Sequence, residues 1–417
     1  MPGGGQYECD VTPADRLDKV DPSDSKSLIP GRVNYEKSEG VKLAMIRSVK
    51  FVMLSCLLGL ASPRAIISQA RSAPEGIVSL DKYDITSFCI SAGSSPDNII
   101  KLDNNGQILL ACISGRTVEQ LRTLGVQFTK SQIELLKNWR LLREDRHLLK
   151  TAFPILNEDK TKQLRKLVGE CASPLSPGLL KDLSALKDHL QFIRRERNTY
   201  TILFSYILDG LVWEYFFENK VLKERKLSVE KPFWSGVVWA VYPPRDFSCG
   251  TNSVSDQGIT LKVNWSKATL KKMIPFVADW DSFSKMFDDL VGKGKIEEEK
   301  AIRVFRPFDL FDQSGRFTVP IIFEKENDAL YKACVSLSSD VSEEILNVIH
   351  LEELKKEFDF RDNDEALVIF YHEFMWALLE QLEGQGLIKK PIAFVDPERA
   401  KPEDIGDLVF IVKKGQK

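Results

Sequence analysis

Two stretches constrain the architecture of this chain more than any others: Thr201–Lys223, TILFSYILDGLVWEYFFENKVLK, and Leu367–Lys389, LVIFYHEFMWALLEQLEGQGLIK. Each is apolar around much of a helical circumference rather than along one stripe, so neither can lie on a surface and both must be surrounded by other elements. Laid side by side without gaps, they match apolar to apolar from Ile202 opposite Val368 to Leu222 opposite Ile388. Each then passes a polar break, Asn219-Lys220 or Gln385-Gly386, into a strand-like run. Few of the aligned residues are identical, so amphipathic coincidence accounts for much of the match, with a duplicated helix-to-strand module as the alternative.

The remaining chain alternates between short β patterns and amphipathic helices. ITSFCI and QILLACI, separated by SAGSSPDN and DNNG, read as strands of a small β-containing unit, with Asp103-Asn104-Asn105-Gly106 as a hairpin turn. TVEQLRTLG ends as a helix on Gly125. Thr129 with Gln132 three residues later is a capping box opening a long helix through Lys150. Lys137, Arg140, Arg143, Arg146 and Lys150 make that segment basic. KTKQLRKLVG and LLKDLSALKDHLQFIRRER are further helices, with Pro174 and Pro177 between them. Phe233–Tyr242 and GITLKVNW are predicted strands, MIPFVADWDSFSKMFDDLVGKGK is helical, and AIRVFRPFDLF and RFTVPIIFE are predicted strands about the turn Asp312-Gln313-Ser314-Gly315.

Helices over DALYKACVSLS, VSEEILNVI, LEELKKEF and EALVIFYHEFMWALLEQLEGQG precede LIKKPIAFV and DLVFIVKK, predicted to close as a hairpin. Helices followed by a hairpin are similar to winged-helix modules in element order. The expected class is α+β: helical units with short antiparallel sheets, including two winged-helix-like helix-to-hairpin modules. The expected blocks are a leader over 1–44, a signal peptide over 45–70, a β-containing unit with a helical domain over 71–230, a β-rich middle over 231–326 and a helical C-terminal domain over 327–417.

Met45–Ala70 carries the compartment. Arg47 and Lys50 precede an apolar core from Phe51 to Ala61, and Ser68-Gln69-Ala70 is a small-x-small cleavage pattern, the layout of an export signal. Eleven helical residues at about 1.5 Å each reach roughly half of a 30 Å hydrocarbon core, so the segment is too short for a spanning anchor. Residues 1–44 are rich in Gly, Pro, Ser, Asp and Lys without a structural period and read as an over-long or disordered leader. The expectation is an exported protein, periplasmic or extracellular, cleaved near Ala70, with no membrane span thereafter.

The formal net charge of −2 supplies no global field toward nucleic acid. The stretch Glu365–Leu387 carries Glu365, Glu373, Glu380 and Glu383 without a Lys or Arg, which argues against a groove-reading helix; no nucleic acid is expected as partner. Five cysteines follow Ala70, an odd number with no metal-ligand spacing, and Cys89 with Cys112 is the nearby pair to test for a disulfide. Asn264-Trp265-Ser266 matches a glycosylation acceptor.

No nucleophile elbow, phosphate loop or dinucleotide fingerprint is present, and no cofactor or metal is expected. His372-Glu373 is the most tempting acid–base pair, although Trp376 stands where a second zinc-binding histidine would be needed. Asp145, Asp209 and Glu214 are scattered carboxylates. The aromatic run with Trp234, Trp239 and Tyr242 is a candidate stacking platform for a flat ligand. The expected role is non-catalytic binding of a protein or small ligand outside the cytoplasm. The alternatives are a secreted hydrolase with a dispersed site around His372 and Glu373 and, should Met45–Ala70 not be a signal, a winged-helix regulator.

Overall fold

The computed structural model describes residues 78–92 and 94–415; the expected leader 1–44 and signal segment 45–70 lie outside the described residues. The chain runs through β1 (Asp84–Ala92), α1 (Asn105–Ala111), α2 (Val118–Thr123), α3 (Lys130–Asn138), β2 (Leu142–Asp145), β3 (Leu148–Thr151), β4 (Ile155–Leu156), α4 (Glu158–Ala172) and α5 (Pro177–Phe192). Helix α6 covers 199–218 and contains a π-helical stretch, Leu203–Leu211. Then come β5 (Trp234–Val241), β6 (Cys249–Asp256), β7 (Ile259–Ser266), α7 (Leu270–Ala278), α8 (Trp280–Lys293), α9 (Glu299–Phe305) and β8 (Ile321–Glu324). The chain ends with α10 (Ala329–Val348), α11 (Leu351–Phe358), α12 (Asn363–Gly384) and β9 (Val409–Lys414). Long helices with short sheets make the class α+β, as expected.

Strand β5 is where two apolar cores meet. Every residue in it is buried, and strand alternation sends successive side chains to opposite sides. Val237, Trp239 and Val241 enter a large core shared with α4, α5, α6, α10 and α12. Trp234, Val238 and Ala240 enter a smaller one built around Ile108, Leu136 and Leu149. A strand buried on both faces reads as a continuous apolar run, which is why this one is legible as VVWAV. β1 pairs antiparallel and β4 parallel with β5. Gly236 is required at that crossing, because a Cβ there would sit 2.0 Å from the Phe88 carbonyl oxygen. A second sheet runs β6-β7-β9-β8. The three blocks set out from the sequence therefore share sheets: β5 of the middle block joins β1 of the first, and β7 joins β9 of the last.

The two all-round apolar stretches become neighbours in the large core. Tyr371 on α12 donates to the Leu208 carbonyl on α6, and its ring meets Trp213 edge-on at 4.6 Å. The two helices lead into different structures. After α6 comes the centre of a three-stranded sheet, whereas LIKKPIAFV becomes a helical turn, Ile392–Val395, and β9 pairs with β7 and β8. The expected C-terminal hairpin is absent among the described residues. Pro391 explains it, because a proline inside a short apolar run cannot donate to a ladder but readily opens a turn of helix.

Other expectations are corrected by local physics. QILLACI lies largely in α1, where Ile108, Leu109 and Cys112 all face the small core; short apolar runs do not distinguish strand from helix. Asp103-Asn104-Asn105-Gly106 accordingly leads into a helix rather than a hairpin. AIRVF is helical, capped by the Glu298 carboxylate accepting from Ala301 N–H. Pro307 and Pro320 confine the following strand to β8. The Asp312–Gly315 turn forms as expected, with Gly315 at φ 79° and Asp312 Oδ1 accepting from the amides of Ser314 and Arg316. The capping box of Thr129 and Gln132 also forms, but its helix stops at Asn138.

Candidate functional site

Helix α12 is capped by Asp362, whose carboxylate accepts from Glu365 N–H at 2.8 Å, and from there it carries His372 and Glu373 into the large core. Glu373 is 1% exposed. Its Oε2 accepts from Arg165 Nε of α4 at 3.0 Å and from Arg245 Nη2, beyond β5, at 2.9 Å. Arg165 also donates to the Pro243 carbonyl and Arg245 to Glu380. Burial raises the Glu373 carboxyl, but contact with His372 and the two guanidinium charges outweigh it and hold the group well below the usual carboxylate range. His372 Nδ1 lies 3.8 Å from Glu373 Oε1, beyond hydrogen-bond reach, and its ring meets the edge of Trp239 at 5.0 Å. A carboxylate so firmly ionised is mismatched to proton transfer near neutrality. The arrangement is an ion-pair node joining α4, α12 and the segment after β5.

The three aromatic candidates do not form one platform. Alternation along β5 places Trp234 toward the small core and Trp239 toward the large one, while Tyr242, past the strand end, meets Tyr83 at 5.1 Å. Trp234 Nε1 donates to the Trp139 carbonyl at 2.8 Å, and Trp139 stacks on Phe233 at 4.7 Å. Of the three, Trp234 lines a cavity.

That cavity, about 570 Å³, lies between the end of α3, the β2–β3 hairpin, the segment from Arg225 to Gly236 and the start of α12. Six cations line it, Lys137, Arg140, Arg143, Arg225, Lys231 and Arg361, against two acids, Glu144 and Asp362. Lys137 is paired with Glu134 and Glu144, Arg225 with Asp362 and Asp364, and Arg361 with Glu365. Arg140, Arg143 and Lys231 have no carboxylate within ion-pair distance among the described residues. Arg140 donates to the Glu230 carbonyl, and Arg143 and Lys231 are exposed.

Local geometry brings these groups together. Helix α3 ends in a Schellman motif, with Leu141 N–H donating to Leu136 O at 2.9 Å and Arg140 N–H to Lys137 O at 3.0 Å. Arg140 therefore occupies the left-handed position usually given to glycine, at φ 56°. Arg194 and Lys220 close their helices in the same conformation, where a cation also meets the negative end of the helix dipole. β2 and β3 are joined by Arg146-His147, both at positive φ (48° and 70°), the backbone of a tight two-residue hairpin turn. Sequence reasoning found Lys137, Arg140 and Arg143 as one helix face and missed Arg225, Lys231 and Arg361. The basic run from Lys223 to Lys231 was the available signal.

A second cavity of about 410 Å³ lies by Arg197, Lys390 and Asp407. Arg197 is paired with Asp404 and Asp407, and Lys390 with Glu383. Burial pushes the Asp407 carboxyl up to about 6, against the pull of Arg197.

The remaining sequence candidates separate. Asp145 ends β2, while Asp209 and Glu214 lie on α6. Cys89 and Cys112 are not joined to one another, so the suggested disulfide does not form; burial pushes the Cys112 thiol up to about 11. Asn264 is fully buried between Thr251 and the Leu408 carbonyl, which removes it as a glycosylation acceptor in the folded chain. No three His, Cys, Asp or Glu residues come together as metal ligands among the described residues, and no helix among them is long and apolar enough to cross a membrane. Compared with known proteins, the chain matches no family model, and no curated protein and no solved structure is similar to it.

Proposed function

We propose that the protein is a non-catalytic binding protein whose ligand site is the basic cavity beside Trp234, and that it works outside the cytoplasm. One observation carries the binding reading: Arg140, Arg143 and Lys231 line a 570 Å³ recess without an ion-pair partner among the described residues, and a recess of that volume falls within the range of small-molecule sites. Of the acid–base pair that stands out in the sequence, Glu373 is engaged by Arg165 and Arg245 in holding elements together. The export part of the proposal rests on the Met45–Ala70 pattern.

A thermal-shift panel of chemically diverse small molecules tests the binding reading. At least one compound should raise the melting temperature of the wild type but not of Ala152→Leu, which adds bulk to the cavity lining; circular dichroism checks that the variant folds. A panel without such a compound, together with a hydrolytic activity lost in His372→Ala, would replace this reading with the hydrolase one. Intact mass of the protein from its host should place the mature start near Arg71, and a full-length cytosolic form would remove the export part.

A further inference from the structure

We infer that the ligand of this cavity is a small molecule bearing a compact group of two or three negative charges, the chemistry of a di- or triphosphate. The inference rests on the cavity being the ligand site and names what that site takes. Three of its cations are already paired with carboxylates of the protein, whereas Arg143 and Lys231 are in no ion pair among the described residues, and Arg140, held at the Glu230 carbonyl, meets only the more distant Glu230 charge. A neutral ligand would leave them unanswered, and a single carboxylate would answer one. Guanidinium groups offer paired N–H donors that match phosphate oxygens, and a lysine supplies a point charge beside them.

The ligand is small because the same walls carry Glu144 and Asp362, and Glu134 and Asp364 pair with the lining cations Lys137 and Arg225. An extended polyanion such as a nucleic acid would have to cross those carboxylates, while a compact one need meet only Arg140, Arg143 and Lys231. Arg140 reaches the recess from a left-handed backbone position that glycine occupies more easily.

Isothermal titration of the full chain with pyrophosphate, tripolyphosphate and inorganic phosphate tests this. Pyrophosphate should bind at least tenfold more tightly than inorganic phosphate, and its affinity should fall steeply with added salt. Arg143→Ala and Lys231→Ala should each weaken it tenfold or more, whereas Lys166→Ala, on the exposed face of α4, should leave it unchanged. Arg140→Gly should bind more weakly while melting at a higher temperature, a combination that simple damage to the fold cannot produce. No binding of either polyphosphate, or binding indifferent to Arg143 and Lys231, overturns the inference, as does binding to anionic lipid vesicles without binding to free pyrophosphate. If the polyphosphates fail while a neutral compound still stabilises the wild type and not Ala152→Leu, the charge assignment falls and the cavity stands as the ligand site. If no compound distinguishes those two proteins, the cavity reading itself falls.

Discussion

The Glu373 node and the cavity beside Trp234 both gather arginines around carboxylates, yet they differ in what the charges have left to do. At the node, Glu373 is enclosed and accepts from Arg165 and Arg245, and Arg245 turns its other nitrogen to Glu380. Glu373 and the two guanidiniums stabilise one another where water is largely excluded, and removing the carboxylate leaves the guanidiniums without their shared partner. At the cavity, half of the lining cations are in ion pairs and the other half, all exposed, are in none among the described residues. Screening by solvent makes these worth little to the fold, so they remain available to a ligand. A histidine beside a glutamate in a sequence is thus weaker evidence of chemistry than cations without partners in a structure.

The sharpest way to break this contrast is Glu373→Ala. It leaves two largely buried guanidiniums without their shared carboxylate and should cost roughly 3–5 kcal/mol in urea unfolding; a loss near zero would show that the node does not hold the helices. Next in size is a pH effect at the other cavity. Asp407 has a folded value of about 6 against an ordinary 3.8, so its contribution is fully present below about pH 4. It is lost as pH rises through 6, because the unfolded chain releases that proton first. The expected loss is on the order of 3 kcal/mol between pH 4 and 7.5, and Asp407→Asn should flatten that part of the stability profile. Glu373, held low, acts in the opposite sense: its contribution is present above the ordinary carboxylate range and declines as acid protonates it.

Smaller effects test the cavity. Arg143→Ala and Lys231→Ala should change unfolding free energy by less than about 0.5 kcal/mol, even as pyrophosphate binding drops tenfold, equivalent to about 1.4 kcal/mol. A larger stability loss would mean that these side chains are structural. Arg140→Gly should stabilise the fold by about 1 kcal/mol through relief of its left-handed backbone; destabilisation in urea would show that the arginine side chain holds the helix end.

Much of the fold was legible because burial on all sides leaves an unmistakable composition. The α6 and α12 stretches and β5 are apolar almost throughout, so their depth in the molecule followed from residue type alone. The capping box at Thr129 and the helix end at Gly125 were legible because they use the residues those geometries favour. The end of α3 was not, since Arg140 stands where glycine is expected, and the β2–β3 hairpin was hidden because Arg146-His147 replaces the Asn or Gly that usually marks such a turn. With both signals missing, the amphipathic pattern ran on as one helix.

The candidate site shows the same division. Lys137, Arg140 and Arg143 were seen as basic but placed on one helix face; a helix end and a hairpin put them around a recess instead. Arg225, Lys231 and Arg361 join them from elsewhere in the chain, and Glu373 meets Arg165 across 208 residues and Arg245 across 128. The sequence alone determined which segments had to be buried, because transfer of apolar surface from water depends on composition and local period. Only the tertiary structure decided which charges were neutralised and which were left free, because pairing depends on distances between residues that the linear order keeps far apart.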